Sequence, residues 1–204
     1  MKRIISLILA LVMLLAFASC GKDSGTKDGI YTDGDKTYFV VNGGAILIKN
    51  GAASVAEAPE VSGDPKSEKI SAPTALDKEY FTYSTESGGK YITGLTDDGK
   101  AAKVLMIPDD VAGIKKGALK DGDLQSLIIG ARSNGAFNVA PGAFEGTSAL
   151  SVYIACTTEQ VSSGDGMLNG ATGIKLIISA DEYTNFKSHY LFGTFADNMS
   201  KLGA

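Results

Sequence analysis

The sequence predicts a mainly β fold in which a solenoid of short parallel strands follows a small β meander. In the C-terminal half, a block of the form Gly-Ala-apolar or Gly-Met-apolar recurs at intervals of 25 and then 24 residues. An aliphatic strand core begins eight residues after each apolar anchor. Such a period is typical of coils that each bury an apolar edge against the next coil. The anchors are Leu119, Phe144 and Leu168, and the strand cores span residues 127–129, 152–154 and 176–178.

Alternation within the strand cores predicts which side chains point into the solenoid. Successive residues of a strand face opposite sides of its sheet. The inward set is therefore Leu105, Ile107, Leu127, Ile129, Val152, Ile154, Leu176 and Ile178. The residues between them form an outward row that we call the ladder, and its members are Met106, Ile128, Tyr153 and Ile177.

The ladder is the candidate binding site that the sequence offers. Outward strand positions are usually polar, whereas all four ladder residues are apolar or aromatic. Contiguous apolar surface of this kind marks an interface. Two alternatives remain open here: the ladder binds a partner, or the N-terminal hairpin folds back and covers it, because a small hairpin needs a docking surface.

Local turn signals predict the small meander over residues 30–56. Two β-type segments, residues 37–41 and 45–49, flank Asn42-Gly43. Asn-Gly favours the left-handed dihedral angles of a type I′ turn, so these segments predict a two-stranded hairpin. Residues 57–78 contain three of the five prolines of the chain and predict a linker.

The predicted solenoid occupies residues 79–204. It begins with a second hairpin, residues 80–84 and 90–93 around a Ser-Gly-Gly turn. The dipeptide Asp97-Asp98 and the following Gly-Lys predict a turn that leads into a first coil strand over residues 104–107. From about residue 181, spaced aromatic residues predict a C-terminal cap, which an open stack requires.

Residues 1–19 have the pattern of a lipoprotein signal peptide. Lys2 and Arg3 precede a 15-residue run that is apolar apart from Ser6, shorter than the roughly 20 residues that a membrane-spanning helix needs. The following Ala-Ser-Cys20 resembles the bacterial lipobox, which implies that Cys20 is the lipid attachment site. Residues 20–29 would then form a tether. We expect the chain to be anchored to the membrane of the bacterial cell envelope through this lipid, on its outer surface.

The repeats resemble the BspA-type leucine-rich repeat. The resemblance rests on residues 104–111, 114–119, 140–146 and 150–154, which follow a Val-x-Ile-Pro strand and an Ala-Phe block. It extends over about residues 81–199. The family implies short parallel strands on one face of the solenoid and irregular turns or short helices on the other. It also implies adhesion or recognition of a protein or glycan partner.

Composition excludes several classes of function. Without Lys2 and Arg3, 17 basic residues (19 minus 2) face 23 acidic ones, and no basic patch with aromatic residues predicts nucleic-acid binding. With Cys20 lipidated, Cys156 is the remaining cysteine and we interpret it as a buried core residue. His189 is the single histidine. The sequence therefore predicts no catalytic residue, no metal site and no cofactor.

Three hypotheses for the function follow from these observations. The first is a lipid-anchored envelope protein whose leucine-rich-repeat solenoid is a non-catalytic recognition or adhesion module. The second is a structural or accessory envelope lipoprotein, in which the meander packs on the ladder and leaves no recognition surface. The third, a small hydrolase, requires converging acidic groups or a Cys-His pair, and no spacing in the sequence supports either.

Overall fold

A computed structural model describes residues 27, 29–41, 44–57, 59, 70–86, 89–133, 135–163 and 165–202. The predicted signal peptide and Cys20 lie outside these residues, as does most of the first half of the predicted linker. The described chain is mostly β, which confirms the mainly β prediction. It contains three sheets of five strands each. In the described residues, no helix is long and apolar enough to cross a membrane.

The N-terminal sheet is an antiparallel meander with one short added strand. Strands β1 to β4 pair in sequence order, and β5 pairs in parallel with β4. The predicted hairpin around Asn42-Gly43 is confirmed, because Val41 pairs with Gly44 across a two-residue connection. The strands are β1 (Gly29–Asp33), β2 (Lys36–Val41), β3 (Gly44–Lys49), β4 (Ala52–Glu57) and β5 (Ala75–Leu76).

The ladder sheet contains the predicted strand cores and is parallel throughout. Its neighbouring strands keep one register, so that Ile128 pairs with Met106 on one side and with Tyr153 on the other. Tyr153 pairs in turn with Ile177. The strands are β8 (Val104–Met106), β10 (Ser126–Gly130), β12 (Ser151–Ala155), β14 (Lys175–Ile178) and β15 (Met199–Lys201).

The strands of the second sheet alternate in sequence with those of the ladder sheet. The second sheet consists of an antiparallel hairpin, β6 and β7, extended by three parallel strands. From β7 to β14 the chain passes alternately through the second sheet and the ladder sheet. The strands are β6 (Phe81–Glu86), β7 (Gly89–Leu95), β9 (Val111–Ile114), β11 (Phe137–Val139) and β13 (Val161–Ser163).

The second sheet corrects one expectation drawn from the family resemblance. Irregular turns or short helices were expected opposite the ladder strands. Turns are present over residues 115–121, 141–146 and 165–170, but three parallel strands precede them. These strands form because Val111, Phe137 and Val161 all place apolar side chains in the interior, where each is no more than 2% exposed.

Glycine explains the repeated block that begins each of these turns. Gly117, Gly142 and Gly166 all have positive φ angles, of 61°, 66° and 78°, a conformation that glycine adopts without steric cost. The three glycines also stack, because Gly117 N donates to Gly142 O and Gly142 N donates to Gly166 O, both at 2.9 Å. The repeat is therefore both a sequence pattern and a backbone hydrogen-bond pattern.

The predicted division between inward and outward residues is confirmed. All eight inward strand residues belong to one core cluster together with Leu119 and Phe144, while Leu168 packs against it partly buried. The ladder residues belong to a different cluster. The two faces of the ladder sheet are thus buried in different apolar clusters. Period-two alternation along each strand determines which cluster a residue joins.

Short helices border the core at both ends. The predicted turn at Asp97-Asp98 is instead a one-turn helix, α1 (Asp97–Ala101), because Thr96 Oγ1 accepts a hydrogen bond from Gly99 N at its start. Near the C-terminus, α2 (Tyr183–Ser188) and a 3-10 helix (Phe192–Asn198) follow the last long strand. Their Phe186 and Phe192 rings meet edge to face at 4.9 Å and are fully buried in the main core.

Candidate recognition surface

The N-terminal sheet covers the ladder. Met106 and Ile128 are 0% exposed and Tyr153 is 2% exposed, while Ile177 at the end of the ladder is partly buried. The Phe39 ring of β2 meets the Tyr153 ring edge to face at 5.3 Å. Of the two alternatives that the sequence left open, the covered arrangement is the one observed. The N-terminal side chains in this cluster are Ile30, Phe39, Val41, Ile46 and Ala53.

This burial has a simple energetic cause. The N-terminal sheet has an apolar face that needs a packing partner, and a full row of apolar residues on the ladder sheet is costly to leave in water. Burying one such side chain contributes about 1.5–3 kcal/mol, so the two surfaces stabilise each other. The ladder is therefore core in this structure, and a partner would have to displace the N-terminal sheet to reach it.

Residues 70–77, in the predicted linker, fasten the N-terminal sheet to the ladder sheet. Backbone hydrogen bonds join Ala72 N to Ala131 O, Ala131 N to Ile70 O and Asp109 N to Pro73 O, at 2.6 to 2.7 Å. On the other side, Asp77 N donates to Ala53 O at 3.0 Å. The second half of the linker region is thus packed between two sheets.

A polar cluster lies beneath this segment, at the corner where the chain leaves the ladder sheet. The Arg132 side chain is 1% exposed, and its Nη2 donates to the carbonyl oxygens of Asp109 and Val111. Its Nε lies 3.9 Å from Oδ1 of Asp109, whose carboxylate also accepts hydrogen bonds from the backbone and hydroxyl of Ser133. Gln160 Nε2 donates to Arg132 O at 2.7 Å, so the cluster joins three successive coils.

Burial determines the electrostatics of this corner. Desolvation lowers the pKa of the Arg132 guanidinium, and the nearby Asp109 carboxylate opposes that shift. Nε and Nη1 of Arg132 are buried without a hydrogen-bond partner. The Arg132 side chain is 1% exposed, and its contacts to Asp109 and Val111 join neighbouring coils, as expected of a structural role.

Other chemical groups give no alternative site in the described part of the chain. Cys156 is fully buried in the main core cluster. His189 is partly buried, its Nδ1 accepts a hydrogen bond from Leu191 N, and its ring packs on Tyr190 and Phe192. Among the described residues, no group of three or more His, Cys, Asp or Glu side chains is placed to hold a metal ion.

The outer face of the second sheet has a different character from the ladder. One residue from each strand lies in a row across it, and their inward neighbours Ile92, Ile114 and Val139 are at most 2% exposed. Asn138 is exposed and its Nδ2 donates to Ser162 Oγ at 3.1 Å. We call this row the face row; its members are Ser84, Tyr91, Gly113, Asn138 and Ser162.

The Tyr91 ring packs close to Gly113, where there is no side chain. A Cβ atom at Gly113 would lie 2.5 Å from the carbonyl oxygen of Asn138 and 3.1 Å from Cδ1 of Tyr91. Glycine is therefore required here by close approach, and the φ angle is not in the left-handed region. The half-exposed ring lies against the strand because no side chain stands beneath it.

Charged residues on this face neutralise one another. Lys115 Nζ lies 2.7 Å from Oε2 of Glu86 and 4.2 Å from the centre of the Tyr91 ring. The hydrogen bond from Lys115 is the main reason that the pKa of Glu86 is lowered. The face is thus polar and aromatic but locally balanced in charge.

A second ion pair lies beside the hairpin. Lys90 Nζ lies 2.9 Å from Oδ2 of Asp110 and 3.9 Å from the centre of the Tyr83 ring. Burial, with smaller contributions from Asp110 and Glu79, raises the pKa of Tyr83 to about 12.

Sequence reasoning missed the face row. Its residues are Ser, Gly and Asn as well as Tyr, and such residues in short segments predict turns. The available signal was the apolar alternation of Phe137 and Val139 around Asn138, which indicates a strand with one polar face. Three-residue strands give too few positions for that alternation to be recognised.

Comparison of the chain with protein-family models, with curated proteins and with solved structures gives no match.

Proposed function

We propose that this protein is a lipid-anchored protein of the bacterial cell envelope whose leucine-rich-repeat solenoid is a non-catalytic recognition module. Its recognition surface, in this proposal, is the face row on the second sheet and not the ladder. The partner is a protein or a glycan. Attachment to the membrane is through a lipid on Cys20.

The observation that supports recognition most strongly is the composition of the face row. Tyrosine supplies a large, rigid and amphipathic contact surface, while serine, glycine and asparagine supply adaptable hydrogen bonding, which is the combination that antibody binding surfaces use. In this chain those four residue types occupy all five positions of one row across five paired strands. Because a rigid sheet holds these side chains, binding costs little conformational entropy.

The solenoid part of the proposal is supported by register. Strands one repeat apart in sequence pair directly, as Leu127 with Val152 and Val152 with Leu176. The turn glycines stack at the same interval. Each coil therefore contacts mainly the coils before and after it, which is the defining property of repeat folds.

The envelope part of the proposal is supported by the first 20 residues alone. A positive pair, a 15-residue run that is apolar apart from Ser6, and a lipobox-like Ala-Ser-Cys20 are present in the right order. An acyl-modified cysteine with two or more chains gives stable membrane attachment. Residues 21–28 would then separate the lipid from β1.

Protease shaving of intact cells is the first test. A tag after Ala204 should be lost from intact cells while a cytoplasmic control protein survives. Cells should then be tested for adhesion to immobilised matrix proteins and glycans, with Tyr91→Ala and Asn138→Ala as surface variants. Tyr190, which is 80% exposed near the C-terminus, provides the matched control Tyr190→Ala.

Loss of adhesion in both face-row variants, with Tyr190→Ala unchanged, is the expected outcome. Adhesion that is equal in all variants would refute the face row as the recognition surface. Loss of adhesion caused by unfolding is detected by comparing urea midpoints, which should agree closely because Tyr91 and Asn138 lie on the outer face.

One observation favours the accessory hypothesis as a second candidate. The N-terminal sheet covers the ladder, as that hypothesis requires. A tag that is protected in intact cells and becomes sensitive only after the envelope is opened would support an accessory role. The shaving result therefore separates the two candidates before any ligand is known.

A further inference from the structure

We infer that the ligand of the face row is a neutral oligosaccharide chain. This inference rests on the proposed function and adds the chemical class of the partner. Three properties of the face support it: the groups that it presents, its balanced charge, and its lack of an apolar centre.

The groups on the face match the two sides of a sugar ring. A sugar presents C–H groups on its faces and hydroxyl groups around its edge. The Tyr91 ring is partly buried beneath Lys115, whose Nζ lies 4.2 Å from its centre, and it offers an apolar surface to the former when this solvent-exposed lysine side chain moves aside. The side chains of Ser84, Asn138 and Ser162 offer hydroxyl and carboxamide groups that both donate and accept hydrogen bonds, as sugar hydroxyls do.

The charge balance of the face favours a neutral chain over an acidic one. Lys115 is paired with Glu86 at 2.7 Å, and Lys90 at the side of the face is paired with Asp110 at 2.9 Å. Among the described residues of this face, both lysines are paired, whereas sulfated or carboxylated polymers bind through unpaired basic residues. A neutral ligand brings no charge that competes with either ion pair.

The absence of an apolar centre disfavours a protein partner. Protein interfaces have an apolar, water-excluding core from which Lys, Glu and Ser are depleted. Here Tyr91 is the one large aromatic side chain in the row. Ser84, Gly113 and Lys115 lie beside it, and Glu86 is paired with Lys115. Five strands at about 4.8 Å spacing also give a strip roughly 19 Å wide, which suits an extended chain of several sugar units.

Affinity gel electrophoresis of the full chain, purified from membranes in detergent, tests the inference. The gels would contain neutral glucan, mannan or galactan, with heparin and polygalacturonate as acidic probes. We expect retardation by at least one neutral polymer and by neither acidic one. Tyr91→Ala should weaken retardation about tenfold or more in apparent affinity, and Tyr190→Ala should not change it.

Gly113→Ala provides a second variant, which removes none of the side chains of the face row. It should also weaken retardation, because the added methyl group displaces the Tyr91 ring. Near-identical circular dichroism spectra for all variants would exclude unfolding as the cause.

The outcomes separate this inference from the function on which it rests. Retardation only by acidic polymers, or binding only to a protein, with Tyr91→Ala abolishing it, would overturn the neutral-glycan inference and leave the recognition surface standing. Binding of any ligand that Tyr91→Ala and Asn138→Ala leave unchanged would overturn both. Absence of retardation by every polymer in the gels would overturn the neutral-glycan inference.

Discussion

The ladder sheet and the second sheet are both built from short parallel strands, but their outer faces differ in whether they are covered. The ladder presents Met106, Ile128, Tyr153 and Ile177, and the N-terminal sheet buries them. The face row presents one aromatic residue among Ser, Gly and Asn, and it is partly exposed, with Asn138 its exposed member and Gly113 its buried one. The strand pattern therefore creates two candidate surfaces, and the side chains at the outward positions decide which one is covered.

The largest effect that separates the two faces should come from a buried charge. Ile128→Asp places an unpaired carboxylate at a position that is 0% exposed. We expect a loss of about 3–5 kcal/mol in the free energy of unfolding, measured by urea denaturation. The matched change Asn138→Asp on the face row should stay within about 0.5 kcal/mol. A folded Ile128→Asp protein of near-parent stability would mean that the ladder is open.

Close packing on the open face should give a smaller effect. In Gly113→Ala the new Cβ atom collides with the backbone carbonyl of Asn138, so we expect a loss of about 1–3 kcal/mol. Gly94→Ala is the control, because its Cβ atom would meet the Thr82 hydroxyl, which can rotate away. Equal urea midpoints for the two variants would show that the Asn138 carbonyl does not pack closely against Gly113.

Contact between the N-terminal sheet and the ladder should appear as energetic coupling. A double-mutant cycle of Phe39→Leu and Tyr153→Leu should give a coupling of about 0.5–1.5 kcal/mol, because the two rings meet edge to face. Phe39 and Phe186 belong to different core clusters and should couple by less than about 0.5 kcal/mol. A Phe39–Tyr153 coupling no larger than this control would argue against docking of the meander.

The smallest effect concerns Tyr83, beside the open face. Its folded-state pKa is raised to about 12 because burial disfavours the phenolate, whereas an unfolded tyrosine has a pKa of about 10. The folded state therefore holds this proton more tightly. The resulting stability is complete below pH 10 and is lost as the pH rises through 12.

Tyr83→Phe should consequently lose less stability than the parent when the pH is raised from about 9 to about 11. Urea midpoints at the two pH values give the comparison. Burial also raises the pKa of Tyr80 to about 12. Tyr80 is present in both proteins, so its contribution to the stability loss is the same in each. An identical loss in parent and variant would show that Tyr83 is not protected by burial.

Local signals explain how much of the fold was predictable. The Asn42-Gly43 dipeptide predicted the hairpin of β2 and β3, and aliphatic runs predicted the cores of β10, β12 and β14. Alternation then assigned each residue to its side. These features depend on neighbours in sequence, which is why the sequence alone contains them.

The docking of the meander and the short strands of the second sheet explain which features could not be predicted from the sequence. Whether the meander covers the ladder depends on contacts between residues far apart in the chain, such as Phe39 and Tyr153, and no local pattern determines it. Strands β11 and β13 are three residues long, too short for alternation to be recognised. The face row was missed because Gly113 and Asn138 suggest turns when strand pairing is unknown.

Thiol labelling at the two outer faces tests the central claim most directly. In a Cys156→Ser background, Asn138→Cys and Ile128→Cys would be treated with a thiol reagent under native conditions, and the background protein alone gives the baseline. The account predicts rapid labelling of Asn138→Cys and none above baseline for Ile128→Cys until urea unfolds the protein. Equal labelling of both variants in the folded protein would contradict it, because the ladder would then be as open as the face row.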